Sequence, residues 1–257
     1  MAVVSPDNWF LGEGQTRRSP AFTRGNAVTA FVDGMGYMAD LLGSIEGCDD
    51  ALMFAGWRMS NDQLLDPRIV HGRLTGTSLI DAITSAARRG CSVKALLFNV
   101  PGTEAPGPFR FWHAKDNYEF AQMVSAAGGE VVLDSRLAPV PASAHHQKFV
   151  LSISKNSERN VAYLGGIDVC LDRWERSAHD AAPERQRDFV RAGVVESHTP
   201  SQPGWHDLQV RVQGPAIDQI WQVFKERWND RRPGNHHPLL ARYRGGTPLP
   251  GPGPVTP

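Results

Sequence analysis

Cysteine is scarce in this chain, and an excess of charge of either sign is missing altogether. Only Cys48, Cys91 and Cys170 occur among 257 residues. None sits in a Cys-x-x-Cys pair and the count is odd, which argues against a disulfide framework and against a cysteine zinc site. A reducing compartment is the simple reading. Lys plus Arg number 27 and Asp plus Glu number 27. A broad basic surface of the kind that grips nucleic acid is therefore not expected, and any hold on phosphate must come from a local cluster of cations. No apolar run approaches the roughly 18 residues of a membrane span. The first residues, Met1 to Asp7, lack a basic region followed by a long apolar stretch, so no secretory signal is expected. No internal repeat is visible.

What is present is enough hydrophobic side chain for a packed core, 41% of residues against 21% charged. Residues 1–25 read as irregular. From Asn26, a plausible N-cap, Val28, Phe31, Met35, Met38 and Leu42 recur at helical spacing and predict a helix. Apolar runs predict strands at Ala51–Met59, Ser92–Val100, Glu130–Asp134, Lys148–Ser154, Val161–Val169 and Asp207–Gln213. Helices are predicted over 77–89 and 111–127, and after Gly214-Pro215, where Ile217, Ile220, Trp221, Phe224 and Trp228 line one side. Strands and helices alternate, which favours an α/β fold: a mixed, largely parallel sheet with helices on both faces. The Pro/Gly-containing segment 101–108 and the polar segment 175–204 read as loops. The Pro/Gly-rich tail after 230 reads as a linker or a disordered end, so the domain is expected over 26–230.

The chemistry is concentrated in His145-His146-Gln147-Lys148 and in Gly165-Gly166-Ile167-Asp168. At the head of a strand, residues two apart share a face. His146 and Lys148 then point together, an imidazole able to attack phosphorus beside an ammonium able to offset charge on its oxygens. Gly165 and Gly166 allow close backbone approach to a ligand, and their amides are candidate donors to phosphate. Paired histidines can bind metal, but no ligand set with zinc spacing accompanies His145 and His146.

These strings resemble the motif set of the phospholipase D superfamily. His146-x-Lys148 and Gly165-Gly166-Ile167-Asp168 are similar to its HKD motif. His145, Tyr163-Leu164, Arg173-Trp174, Trp205-His206-Asp207, Gly214-Pro215-Ala216, Arg227-Trp228 and the early Phe54-Ala55-Gly56-Trp57 are similar to its lipid-directed branch. The resemblance spans about residues 26–230. It implies an αβα sandwich, a phosphohistidine intermediate on His146 assisted by Lys148, Asp168 as an orienter of the site's histidines, and no cofactor or metal. It also implies a substrate-binding role for His145, Gly165, Gly166, His206 and Asp207.

There are two departures. Ile153 stands where the motif has an acid, and one HKD motif is visible where the family's site needs two. His113-Ala114-Lys115 lies in a helical pattern and no Gly-Gly strand follows it. The resemblance thus implies a second half, either in the same longer chain or as a homodimer. The expected function is cleavage or transfer of the phosphatidyl group of glycerophospholipids at a membrane surface. A silent phospholipid- or phosphate-binding half and a nuclease are the alternatives, nucleic acid being the less expected partner. The expected location is the cytoplasm, or outside it by an export route that needs no signal peptide.

Overall fold

The computed structural model describes residues 23–99, 112–134, 144–180, 184, 205–230 and 248–249, with the side chains of the third helix described from residue 115 onward. Most of the expected irregular start, the loop at 101–108, most of the segment 181–204 and most of the tail fall outside the described residues.

Among the described residues, nine strands and four α-helices follow one another, with a 3-10 turn at Ser157–Arg159. They are β1 (Ala27–Val32), α1 (Gly34–Glu46), β2 (Ala51–Gly56), β3 (Arg68–Val70), β4 (Arg73–Thr75), α2 (Leu79–Arg88), β5 (Ser92–Phe98), α3 (Trp112–Ala126), β6 (Glu130–Asp134), β7 (Phe149–Ile153), β8 (Val161–Gly165), β9 (Leu208–Gln213) and α4 (Ala216–Asn229). Seven strands form one sheet in the order β1-β9-β8-β7-β2-β5-β6, and β3 and β4 form a separate hairpin. β2, β5 and β6 pair in parallel. The other four pairings are antiparallel. Tracing the directions, β1, β2, β5, β6 and β8 run one way and only β7 and β9 run back, so the sheet is mixed and mostly parallel in direction.

Burial explains the strands. β2 is buried at every residue, and β5 at all but its first. Such continuous apolar runs suit strands covered on both faces. One face carries Leu52, Phe54, Val150, Val161 and Tyr163 against Tyr37, Met38 and Leu41 of α1, Ile83 of α2 and Phe120 of α3. The other carries Met53, Leu96, Leu151 and Ala162 against Ile217, Trp221, Phe224 and Trp228 of α4. The expected α/β sandwich is therefore the one observed.

Two expectations are corrected. The helix predicted from Asn26 is a strand followed by a helix, broken at Asp33, whose φ of 65° leaves the helical region. Val28, Ala30 and Val32 alternate on a strand as readily as Val28, Phe31 and Met35 recur on a helix, so periodicity alone did not decide. Cys48 and Cys91 are paired as a disulfide with Cα atoms 6.5 Å apart. Forty-three positions separate them, and no local spacing announces the pair. Cys170 is free and buried. The β3–β4 hairpin was not predicted; it turns on His71 and Gly72, both with positive φ, the conformation that tight two-residue hairpins demand.

Candidate active site

The strand directions bring every candidate residue to one edge of the sheet. β1, β2 and β8 end there, at Asp33, Trp57 and Gly165-Gly166. β7 and β9 begin there, after His146-x-Lys148 and after His206-Asp207. Ligands of open α/β sheets bind outside the carboxyl ends of the parallel strands.

His146 and Lys148 do share a face. The Lys148 ammonium lies 3.1 Å from Asp168 Oδ2, with both side chains buried. The Trp57 ring meets His146 edge-on at 5.6 Å and lies 5.9 Å from the ammonium, within cation–π range. His146 is exposed, and among the described residues no hydrogen bond holds its ring, so the imidazole is open to a reactant. Asp168 Oδ1 accepts the backbone N–H groups of Trp57 at 2.9 Å and Arg58 at 3.2 Å. Burial pushes the Asp168 carboxyl above the usual carboxylate range, although Lys148 and both amides pull the other way. Asp168 thus orients Lys148 and the turn after β2; among the described residues no hydrogen bond or ion pair joins it to His146.

Asp207 packs onto Gly166, where a Cβ would meet its carboxylate. Trp205 Nε1 donates to Asp207 Oδ2 at 3.2 Å. Both glycine amides are already used, Gly165 N–H donating to Lys148 O at 3.3 Å and Gly166 N–H to Leu208 O at 3.0 Å. The expected donation of these amides to phosphate is therefore corrected: the glycines are needed for close packing, since a Cβ on Gly165 would strike Leu208 O.

His145 faces away from His146, as the alternation of an extended chain requires. It is buried, bonded to Gln147 Oε1 at 3.0 Å and 3.9 Å from Asp134 Oδ2. Asp134 also accepts two bonds from Arg227 of α4. His206 lies at the same edge, but its ring turns to Asp33 and His179. Ile153 is buried at the far end of β7, about 16 Å from Lys148 at 3.3 Å per residue. The missing acid therefore leaves the His146–Lys148 geometry untouched.

Several site-edge residues had no role assigned from the sequence. Trp57, read only within the Phe54–Trp57 string, walls His146. Asn117 of α3 accepts from Met59 N–H and donates to Trp57 O and Phe98 O, holding the ends of β2 and β5. Arg58 pairs with Asp116 at 2.7 Å. Arg173 stacks on Trp205 at 3.7 Å, while Trp174 is core. Among the described residues, one group could hold a metal ion: Asp33, His179 and His206. Its members are too far apart in sequence for any spacing rule to find. No helix among the described residues is long and apolar enough to cross a membrane.

A family model described as Phospholipase D matches residues 49–242. Phospholipase D B of Dictyostelium discoideum is 24% identical over 84% of this chain and 18% of its own length. Phospholipase D delta of Arabidopsis thaliana is 35% identical over 33% of this chain and 10% of its own length. The chain thus spans under a fifth of these curated relatives. Among solved structures, NucT from Helicobacter pylori superposes with a TM-score of 0.47 and 10% identity, over 79% of this chain and 95% of that one.

Proposed function

The chain belongs to the phospholipase D family, and from that premise we propose that it supplies one half of a phosphodiesterase site acting on glycerophospholipids. The observation that carries the reading is the exposed, unbonded His146 beside the buried Lys148–Asp168 pair. The His146 ring nitrogen attacks phosphorus, a P–N bond forms, and the P–O bond to the headgroup alcohol breaks. Lys148 balances charge on the non-bridging oxygens, held in place by Asp168. Trp57 restricts the His146 ring from one side. A histidine of a second half protonates the leaving alcohol, and water or another alcohol then releases the phosphatidyl group.

A second half is required because, among the described residues, this edge presents one such histidine with one such lysine. The sheet also offers a seat for it. On the face that α4 covers elsewhere, Val28 and Val32 of β1 and Leu208 of β9 are 63%, 49% and 48% exposed.

The test is release of choline and phosphatidic acid from phosphatidylcholine vesicles, measured across size-exclusion fractions, with single-stranded DNA as a parallel substrate. Lipid turnover is expected in the fraction that holds two motifs. It should fall on the order of 10⁴-fold or more in His146→Ala, as removal of a nucleophile does. DNA cleavage lost in the same variant would replace the lipid reading with a nuclease. Lipid binding without turnover, even with a complementary half added, would make the chain a silent partner.

A further inference from the structure

A second group of side chains converges at the same sheet edge and is not used by the proposed chemistry. Asp33 ends β1 and is fully buried. Its Oδ1 lies 2.9 Å from His206 Nδ1, and its Oδ2 lies 3.3 Å from His179 Nε2. The two ring nitrogens are themselves 2.9 Å apart. All three ligand atoms lie within 4.8 Å of one another.

Hydrogen bonding satisfies this arrangement badly. Only one proton fits between two ring nitrogens at that separation; the Asp207 backbone N–H also donates to Asp33 Oδ1 at 3.1 Å, but neither proton serves Oδ2. Asp33 Oδ2 is buried and accepts no well-formed hydrogen bond. The backbone bears a cost too, since Asp33 and His179 both have positive φ, 65° and 50°, where non-glycine residues are uncommon. Three residues, two of them strained, bring three lone-pair donors within 4.8 Å of one another, which is what a cation gathers.

We propose that Asp33, His179 and His206 form a divalent-cation site. Two imidazoles and one carboxylate suit a borderline transition metal such as zinc. Three protein ligands leave a coordination position open, and the exposed His206 puts it toward solvent. The site is separate from His146. Counting strand spacings from β7 to β9 and β1 places it about 10–14 Å away. A bound cation ties the segment carrying His179 to the ends of β1 and β9 and sets a positive centre on the edge where the phosphate is handled.

The experiment is a zinc titration of the full chain after EDTA treatment, against a chromophoric chelator, with metal content read by plasma mass spectrometry. About one equivalent per chain is expected. His179→Ala and His206→Ala should each weaken binding by about 100-fold, given that even outer-shell partners are worth 10–100-fold. His146→Ala should bind zinc as wild type does. Both ligand histidines reach the surface, so the variants should keep the wild-type circular dichroism spectrum; His179→Gln and His206→Gln, which retain bulk, replace any that do not. Failure to bind at low micromolar free zinc, or binding unchanged in the two histidine variants, overturns the site and leaves the trio as a hydrogen-bonded strap. Loss of binding in His146→Ala alone also overturns it, by placing the metal at the His145–His146 pair. None of these readings depends on turnover, so the cation site and the phosphodiesterase stand or fall separately.

Discussion

Asp168 sits where water does not reach, and its second oxygen faces Lys148. Desolvation disfavours its charged form and dominates over the ammonium and the two amides, which favour it. The folded state therefore holds this proton more tightly than the unfolded chain does. Where the folded state binds more protons, stability falls as pH rises. The contribution of Asp168 is thus fully present below the ordinary carboxylate value of 3.8 and is lost as pH climbs through the raised folded value. Each unit of that elevation corresponds to about 1.4 kcal/mol. Asp168→Asn removes this slope while keeping the shape of the side chain. Melting temperatures of both proteins across pH 4–8 check it: wild type should lose ground relative to the variant as pH rises. The opposite slope would mean that Lys148 outweighs burial. Asp172, also pushed up by burial, is raised further by the Asp168 charge, so its own slope is shallower in the variant and adds to the difference in the same direction. The variant should also lose turnover, because Lys148 is then left without its counter-charge beside the phosphate.

Among the elements, α3 does more than fill the sandwich. Asn117 is fully buried, and its amide makes three bonds to the backbone where β2 and β5 leave the sheet. Asn117→Ala leaves Met59 N–H, Trp57 O and Phe98 O without that partner. Unsatisfied buried groups cost about 1–3 kcal/mol each, so a loss of about 3 kcal/mol in urea unfolding is expected. The same change frees the Trp57 turn, so activity should fall further than the fraction unfolded accounts for. Nothing in the sequence around Asn117 announced this, because a buried asparagine on a helix looks like any polar helical residue until its partners are placed. β2, β5, β7, β8 and β9 were legible because apolar runs bounded by turn residues have few other readings. β1 was not, because its alternation and the helical period of α1 overlap through Asp33. The motif residues His146, Lys148 and Asp168 could be read because their chemistry is local to two adjacent strands. Asp33 and His179 could not, because the sheet order alone brings β1 and the segment after β8 to the head of β9. The disulfide between Cys48 and Cys91 was hidden for the same reason: α1 and α2 deliver the two cysteines to the starts of neighbouring β2 and β5.

At the scale of the whole molecule, the sheet is covered unevenly. Val28, Ala30 and Val32 pair with Val212, Val210 and Leu208 and share their face. That face continues through Ala162 and Leu151 into the core under α4. α4 stops short of the β1 edge, so among the described residues an apolar stripe and an unpaired strand edge are left together. Soluble proteins blunt such edges with charge, or use them for pairing. No charged residue stands on β1 itself, and the proposed site is incomplete without a second half, so pairing is the reading that joins the two observations. Val28→Lys with Val32→Lys places two ammonium groups on the stripe without touching the core. Exposed changes of this kind usually alter stability by about 0.5 kcal/mol or less, so the isolated chain should melt nearly as wild type does. Burying two unpaired charges against a partner should weaken assembly by about 100-fold or more. Light scattering coupled to size exclusion reads the assembly, and phosphatidic acid release from the same fractions reads the site. Both should fall together if the second half sits on the β1 edge. Assembly and turnover unchanged in the double variant would move the partner to another surface, and the stripe would then be an aggregation hazard that this fold tolerates.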